Sequence, residues 1–186
     1  SLTYTPMVYT ARLAKREHPG CKVVFIGPCA AKKLEAMDHE IRTDVDFVLT
    51  YEELMGIFEA KEVDFSALEA GEDLTDGTSA GRGFAVAGGV AAAVQGLIEK
   101  EHPGADVKTQ RADGLRECRK LLMLAKAGRL DGYLLEGMAC PGGCVAGAGT
   151  VISAASAAKQ LQKHMQQASG TQCDESTYSE LADQLN

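Results

Sequence analysis

The stretch "EGMACPGGCVAGAGT", residues 136–150, places the strongest constraint on what this chain can fold into. Two cysteines, Cys140 and Cys144, stand four apart, and the segment carries five glycines. The Pro-Gly-Gly between the cysteines disfavours a regular helix. Because glycine permits positive φ and close backbone approach, the amides of such a loop can surround a metal group that the two thiols bind.

A C-x-x-x-C pair on its own has three interpretations. Two buried cysteines in a tight turn are a common structural outcome, because a free cysteine behaves as a small apolar residue. A zinc ion or an iron–sulfur cluster would use the same spacing, since both bind thiolates. The pair alone leaves these three open.

Length and composition are those of a domain that folds without disulfides. Of the 186 residues 45% are hydrophobic, which is enough for a core. The net charge is −7 and the basic residues are scattered along predicted helices, so neither nucleic acid nor an anionic membrane is expected as a partner. No apolar run approaches about 18 residues and no signal-peptide pattern opens the sequence, so we expect a cytoplasmic protein.

Helical and extended segments alternate along the chain. The sequence Glu-His-Pro-Gly occurs at 17–20 and again at 101–104, each time between a helical pattern and a short extended run. Proline ends a helix there and glycine takes the turn. A further strand is predicted near 45–50, followed by a helix that Thr50 can cap. The alternation predicts an α/β fold with a largely parallel sheet flanked by helices.

Further elements are predicted in the second half of the chain. A helix begins around Gly88, another covers 113–127, and a strand near 132–136 leads into the glycine-rich loop. Residues 1–169 are expected to form one partial domain, and residues 170–186 a loosely attached C-terminal tail.

A second thiol loop lies in "FIGPCAAKKLEA". Cys29 follows a strand predicted to end near Ile26 and precedes two lysines, which can favour a thiolate or donate to an anionic ligand. Cys140 likewise follows a predicted strand. Since ligands sit beyond the carboxyl ends of parallel strands, the two thiol loops can share one edge of the sheet.

The remaining cysteines make weaker candidates. Cys118 is predicted to be a core residue, because it recurs at helical spacing with Leu115, Leu122 and Ala125. Cys21 begins a strand, at the end opposite the expected site, and Cys173 lies in the tail without neighbouring glycines. None of these three is expected to bind metal.

Two of these segments resemble a known family. "GPCAAKKLEA" is similar to the second cysteine signature, and "EGMACPGGCVAGAG" to the third, of the C-terminal catalytic domain of the large subunit of iron-only (FeFe) hydrogenases. "TSAGRGFAVAGGV" resembles that family's connecting segment, and the resemblance covers roughly residues 3–165. The first signature is absent from this span. Two positions depart from the family pattern. Gly27 stands where the second signature commonly has a methionine before its proline, and the third signature ends at Thr150 where catalytic members have a further glycine and then glutamine. These departures indicate a divergent subgroup.

The resemblance implies a metal-ligand set. Cys29 and Cys140 match thiolates of a 4Fe-4S cubane. Cys144 matches the thiolate that bridges this cubane to a two-iron subsite carrying carbon monoxide and cyanide, and the two groups together form the H-cluster. The fourth cubane thiolate belongs to the missing first signature, so we expect a fragment of this span to hold a cluster weakly or to lack it.

Three more residues match positions around the cofactor. Lys32 matches a lysine that donates to a cyanide ligand, Met138 a methionine packed against the two-iron subsite, and Phe84 an aromatic residue that lines its pocket. The family's proton-relay cysteine is in the first signature. No catalytic residue is therefore expected within this span.

The resemblance implies a parent protein that oxidises H2 or reduces protons and exchanges electrons with a ferredoxin-type carrier or with cluster domains of its own chain. The present span is expected to be inactive alone. The alternative is a non-catalytic or sensory hydrogenase-like iron–sulfur protein that reports redox state or H2. A zinc-binding or metal-free α/β domain is the remaining interpretation.

Overall fold

The computed structural model describes residues 3–69, 71 and 76–180, which form two compact units. Unit 1 contains the described residues up to 71, the segment Ala148–Val151 and residue 180. Unit 2 contains residues 76–147 and Ile152–Ser179. The chain therefore passes from unit 2 into unit 1 between residues 147 and 148, within the glycine-rich stretch 136–150, and returns to unit 2 after Val151.

Unit 1 is built on helix α1. Its elements are, in order, α1 (Pro6–Glu17), β1 (Val24–Ile26), α2 (Ala31–Ala36), β2 (Phe47–Leu49) and α3 (Tyr51–Ala60). Proline at the first helical position suits the start of α1, because that position needs no amide hydrogen. The buried core of the unit comprises Met7, Val8, Ala11, Ile41 and Val45. Both Val8 and Ala11 are only 1% exposed, so α1 contributes its deepest residues.

Strand β2 leads into α3 through a capping box. β1 and β2 pair in parallel, with Phe25 opposite Val48. Directly after β2, the Thr50 hydroxyl accepts from the Glu53 N–H at 3.2 Å, and the Glu53 carboxylate accepts from the Thr50 N–H at 2.8 Å. These reciprocal bonds satisfy amides that a first helical turn leaves without partners. The predicted cap at Thr50 is confirmed.

Unit 2 contains the second half of the alternating pattern. Its elements are α4 (Ser79–Arg82), α5 (Gly89–Glu101), β3 (Lys108–Asp113), α6 (Leu115–Lys126), β4 (Tyr133–Met138) and α7 (Ala154–Gln166). β3 and β4 pair in parallel, so that Asp113 lies opposite Met138. The helix predicted over 113–127 and the strand predicted near 132–136 are confirmed, and the strand continues to Met138.

The two Glu-His-Pro-Gly turns share one geometry. His18 and His102, which end α1 and α5, have φ of −128° and −130°. Gly20 and Gly104 have φ of +86° and +90°, a region that glycine occupies without steric cost. A strand follows each turn. The sequence therefore uses the same solution twice to lead a helix into a strand, as predicted.

All the described strands are parallel, as predicted, but they form two separate pairs, β1–β2 and β3–β4, instead of one larger sheet. Each pair is connected through a helix: α2 lies between β1 and β2 in the chain, and α6 between β3 and β4. Such crossovers are the connection that parallel strands require. These two strand–helix–strand motifs confirm the α/β class.

Residues 170–179, predicted to be a loosely attached tail, are part of unit 2. The carbonyl of Gly170 accepts from the Ser79 N–H at 2.8 Å, at the start of α4. Burial raises the pKa of the Cys173 thiol. This part of the predicted tail is attached because its backbone satisfies amides of α4. Residues 181–186 lie outside the described residues.

We predict that Val8→Ala destabilises unit 1 by about 2 kcal/mol, because it removes two methyl groups from a filled core. Hydrogen exchange of α1 amides measures this loss. Val24→Ala in β1 is the matched control, since Val24 is 44% exposed, and it should cost far less. Equal losses in the two variants would contradict the assignment of the core.

Candidate functional site

The unit 2 thiol loop, residues 139–147, begins where β4 ends. The Cys140 carbonyl accepts from the Gly143 N–H at 2.9 Å, which closes a turn around Pro-Gly-Gly, and Cys144 then begins a 3-10 turn, Cys144–Ala146. Both cysteines are half-buried, and no disulfide joins the six cysteines, all of which lie in described ranges. The loop presents two thiols from irregular backbone.

Close backbone packing holds this loop against the glycine segment, residues 83–91. Gly143 has φ of +95°, and a Cβ on it would lie 2.5 Å from the Ala87 nitrogen and 2.7 Å from the Val86 carbonyl carbon. The Ala87 N–H donates to the Gly142 carbonyl at 3.1 Å. Glycine at position 143 is therefore required both by its backbone conformation and by the contact.

The glycine segment is itself tightly folded. Its 3-10 turn Gly83–Ala85 carries Phe84, which is half-buried. A Cβ on Gly89 would lie 1.9 Å from the Gly83 carbonyl oxygen, so α5 begins in direct contact with this turn. Small residues thus permit close packing at the start of α5, the helix predicted to begin around Gly88. Phe84 and Met138 both lie in unit 2, with Cys140 and Cys144.

The end of β3 also holds the unit 2 thiol loop. The Asp113 carboxylate accepts from the Gly142 N–H at 2.9 Å, and the Gly114 N–H donates to the Met138 carbonyl at 2.8 Å. Sequence reasoning missed Asp113. The signal that could have indicated it is its place directly after an extended run, at the carboxyl end of a strand beside the loop.

Sequence reasoning also missed Glu136. It is 7% exposed within β4, and its carboxylate accepts from the N–H groups of Gly88 and Ala91. The signal in the sequence is a lone carboxylate inside the apolar run "YLLEGM", since a carboxylate at such a position must find donors when the strand is buried.

Cys118 packs against β4, and of the three residues predicted to share its buried face only Ala125 is half-buried. The Cys118 Sγ lies 3.4 Å from the Met138 carbonyl oxygen. Leu115 and Leu122, predicted to share its buried face, are 74% and 66% exposed, so that prediction was wrong. The buried side chain is Leu121, three residues after Cys118 and therefore on the same face of α6.

The unit 1 thiol loop, residues 27–30, follows β1 as predicted, and Cys29 is half-buried. Lys32 forms an ion pair with Glu35 one turn further along α2, and the Glu35 carboxylate also accepts from the Thr5 hydroxyl. The side chains of Lys32 and Glu35 are 21% and 26% exposed. The Lys32 ammonium is thus held in a fixed, partly buried position next to the loop.

Gly27, the departure from the expected methionine, stands beside an aromatic ring. A Cβ on Gly27 would lie 2.8 Å from Cε1 of Phe25. The Phe25 ring packs against the core of unit 1 and fills the space that a longer side chain at position 27 would enter. The departure is therefore matched by the rotamer of a neighbouring residue.

The residues that follow the unit 2 thiol loop belong to unit 1. The Gly149 N–H donates to the Pro28 carbonyl at 3.0 Å, next to Cys29. A Cβ on Gly149 would lie 2.4 Å from the Cβ of Thr50, so this glycine is required by close contact with the N-cap of α3. The last glycine of the third-signature stretch is a direct neighbour of the unit 1 thiol loop.

Two kinds of feature are absent from the described ranges. No helix there combines the length and apolar composition needed to cross a bilayer. Nor are three histidine, cysteine or carboxylate side chains grouped there as ligands of a metal ion. The structure places Cys140, Cys144, Met138 and Phe84 in unit 2 and Cys29 and Lys32 in unit 1. Their assembly into one site stays a prediction.

A family model described as the iron only hydrogenase large subunit, C-terminal domain, matches residues 1–148. The chain belongs to this family. It is 31% identical over 177 residues to the periplasmic Fe hydrogenase large subunit of Nitratidesulfovibrio vulgaris, with 77% of this chain and 42% of that protein covered. It is 33% identical over 160 residues to the NADP-reducing hydrogenase subunit HndD of Solidesulfovibrio fructosivorans, with 68% and 27% covered. The chain thus spans less than half of each relative.

Solved structures of FeFe-hydrogenases share the fold of this hydrogenase domain. The HydA1 protein of Chlamydomonas reinhardtii matches with a TM-score of 0.69 and 20% identity, covering 98% of this chain and 65% of that one. A HydA structure described as revealing stepwise H-cluster assembly matches with a TM-score of 0.65 and 21% identity, covering 95% and 63%. The α/β fold predicted from the sequence is therefore that of FeFe-hydrogenases.

We predict that Gly143→Ala disrupts the unit 2 thiol loop far more than Gly142→Ala does. Both glycines have φ of +95°, so both variants carry a conformational cost of about 1–2 kcal/mol. A Cβ on Gly142 meets only the Ala146 Cβ, at 3.8 Å, whereas a Cβ on Gly143 overlaps backbone. That overlap adds about 1–3 kcal/mol. Urea denaturation of both variants measures the difference, and equal losses would contradict the close packing.

The ion pair between Lys33 and Glu53 makes unit 1 sensitive to acid. Lys33 Nζ lies 2.8 Å from the Glu53 carboxylate, and this bond, with those from Thr50, lowers the pKa of Glu53 from 4.5 to about 2. Because the pKa in the folded state lies below the unfolded value, the stabilisation is complete above pH 4.5 and is lost as the pH falls towards 2.

We therefore predict that Glu53→Gln reduces the pH dependence of unit 1 stability between pH 4.5 and 2. Hydrogen exchange of α3 amides as a function of pH, corrected for the intrinsic exchange rates, measures the effect. Glu52→Gln, one residue away, is the control and should leave the dependence unchanged. Parallel pH profiles for wild type and Glu53→Gln would show that the ion pair does not form.

Proposed function

We propose that this chain supplies part of the catalytic domain of an FeFe-hydrogenase, an enzyme that reversibly oxidises H2 or reduces protons at a two-iron centre linked to a 4Fe-4S cubane. The observation that carries the proposal is the unit 2 thiol loop, which holds two thiols on glycine backbone packed against the glycine segment. Because the chain spans less than half of its relatives, the complete activity is proposed for the full-length protein.

The proposed cubane ligands from this chain are Cys29, Cys140 and Cys144. Of these, Cys144 is the thiolate that would also bind the two-iron subsite. The donor set fits, because thiolates are soft ligands that suit iron. All three cysteines are half-buried, which limits access of water to a bound cluster. The bare backbone at Gly142 and Gly143 lets amides approach cluster sulfurs without interference from side chains.

Lys32, Met138 and Phe84 are proposed to line the two-iron pocket. The Lys32 ammonium, held by Glu35, would donate to an anionic cyanide ligand. Met138, at the end of β4, would contribute a thioether that brings no competing proton, and Phe84 would exclude water. When bound, the two-iron centre supplies the cleavage and formation of H2, and the cubane supplies electron transfer.

The proposed partners follow from this assignment. Electrons would pass between the cubane and a ferredoxin-type carrier or further cluster domains of the full-length protein, with H2 and protons as the reactants, in the cytoplasm. Alone, the present span would be inactive and would hold its cluster weakly, because three thiolates are assigned within it.

The second candidate is a non-catalytic or sensory hydrogenase-like protein, favoured by the departures at Gly27 and Thr150. H2-dependent dye reduction by the matured full-length protein separates the two candidates. Turnover supports the enzyme. A protein that carries the complete cofactor without turnover supports the sensor.

We predict that anaerobic iron–sulfur reconstitution loads this chain with iron and sulfide in a weakly held cluster, because three thiolates are assigned within it. Cys140→Ala should remove most of that iron and the electron paramagnetic resonance signal of the reduced sample. Cys118→Ala is the matched control, because Cys118 is half-buried in the same unit and is not an assigned ligand, and it should keep both. Equal iron content in the two variants would refute the assignment of Cys140.

A further inference from the structure

Helix α5 begins without a capping side chain of its own. Its N-cap residue, Gly88, has φ of +92° and no side chain, and a Cβ there would lie 2.6 Å from the Arg111 guanidinium. The first turn, Gly89, Val90 and Ala91, carries no carboxylate or hydroxyl. The first amides of a helix have no partner within the helix, so acceptors must come from elsewhere.

Glu136 of β4 supplies those acceptors. Its Oε1 accepts from the Gly88 N–H at 2.5 Å and its Oε2 from the Ala91 N–H at 2.7 Å. A carboxylate that is 7% exposed requires such donors, and the positive end of a helix stabilises its charge. The first amides of α5 therefore obtain their acceptors from Glu136, and the buried Glu136 carboxylate obtains its donors from α5.

On the far side of Cys140, a second contact joins the loop that follows β4 to the segment that precedes α5. The Ala87 N–H donates to the Gly142 carbonyl, and Gly143 packs on the Val86–Ala87 backbone. Cys140 thus lies between two anchors, Glu136 four residues before it and Gly142 two residues after it. Both anchors end at or just before the start of α5, so the backbone on each side of Cys140 is held there.

We propose that Glu136 is a positioning residue for Cys140. By capping α5 from within β4, its carboxylate fixes the strand end that carries the unit 2 thiol loop and presets the place of the thiol before metal arrives. Preorganisation of this kind lowers the ordering cost of ligand binding. The consequence for cluster uptake rests on the proposed function, whereas the placement of the thiol does not.

The test compares metal-free variants of the chain. Glu136→Ala should raise the hydrogen-exchange rate of the amides at 88–91 by about tenfold or more, because bonds to a charged acceptor are lost. It should raise the rate of Cys140 alkylation by iodoacetamide, measured per site by mass spectrometry, while Cys118 in the same sample changes little. Glu136→Gln keeps one acceptor and should lie between wild type and Glu136→Ala in both measurements.

Two controls separate positioning from simple loss of stability. Ala93→Gly weakens α5 by about 1 kcal/mol at a residue that is 4% exposed, without touching the cap. It should accelerate exchange along α5 and leave Cys140 alkylation unchanged. Glu99→Gln, an exposed carboxylate on the same helix, should change neither measurement.

The proposal is overturned if Cys140 is alkylated at the wild-type rate in Glu136→Ala, or if Ala93→Gly accelerates it equally. If Glu136→Ala unfolds, Cys118 becomes reactive too, and Glu136→Gln then decides: no rise in Cys140 alkylation in that variant refutes the proposal. These measurements need no iron. Failure of the wild-type chain to take up a cluster would count against the proposed function and leave the placement of Cys140 intact.

Discussion

The backbone contact between Gly143 and the Val86–Ala87 peptide is the constraint on which the unit 2 site depends. A Cβ at position 143 would overlap that peptide, so the contact exists only because residue 143 is glycine. It brings two segments that are distant in sequence to van der Waals distance. With the Glu136 cap, it turns a flexible glycine-rich stretch into a loop held from both ends.

The residues after the unit 1 thiol loop are held by ion pairs, whereas the unit 2 thiol loop is held by backbone contacts. The consecutive lysines after Cys29 are both paired, Lys32 with Glu35 and Lys33 with Glu53. Ion pairing leaves neither of these two ammonium groups unneutralised at the surface. The Glu53 carboxylate also completes the capping box of α3, so one side chain links the lysine to the helix start after β2.

Caps and turns, which depend on residues close together in the chain, could be predicted from the sequence. The Thr50 cap and the two Glu-His-Pro-Gly turns form as predicted, since each depends on its own neighbours. The buried face of a helix could not be predicted in the same way, because it depends on what the helix packs against. Leu115 and Leu122 fit a helical period as well as Leu121 does, and only the folded structure shows that Leu121 is the buried one.

The sequence by itself determined the family and the order of helices and strands, and it supplied the candidate site residues, because thiols, glycines and turn residues act through their identity and spacing. Tertiary structure decided that the parallel strands form two pairs, that residues 170–179 attach to α4, and that Glu136 and Asp113 hold the unit 2 thiol loop. These depend on hydrogen bonds between segments far apart in the chain. No local pattern specifies which buried amide a given carboxylate will meet.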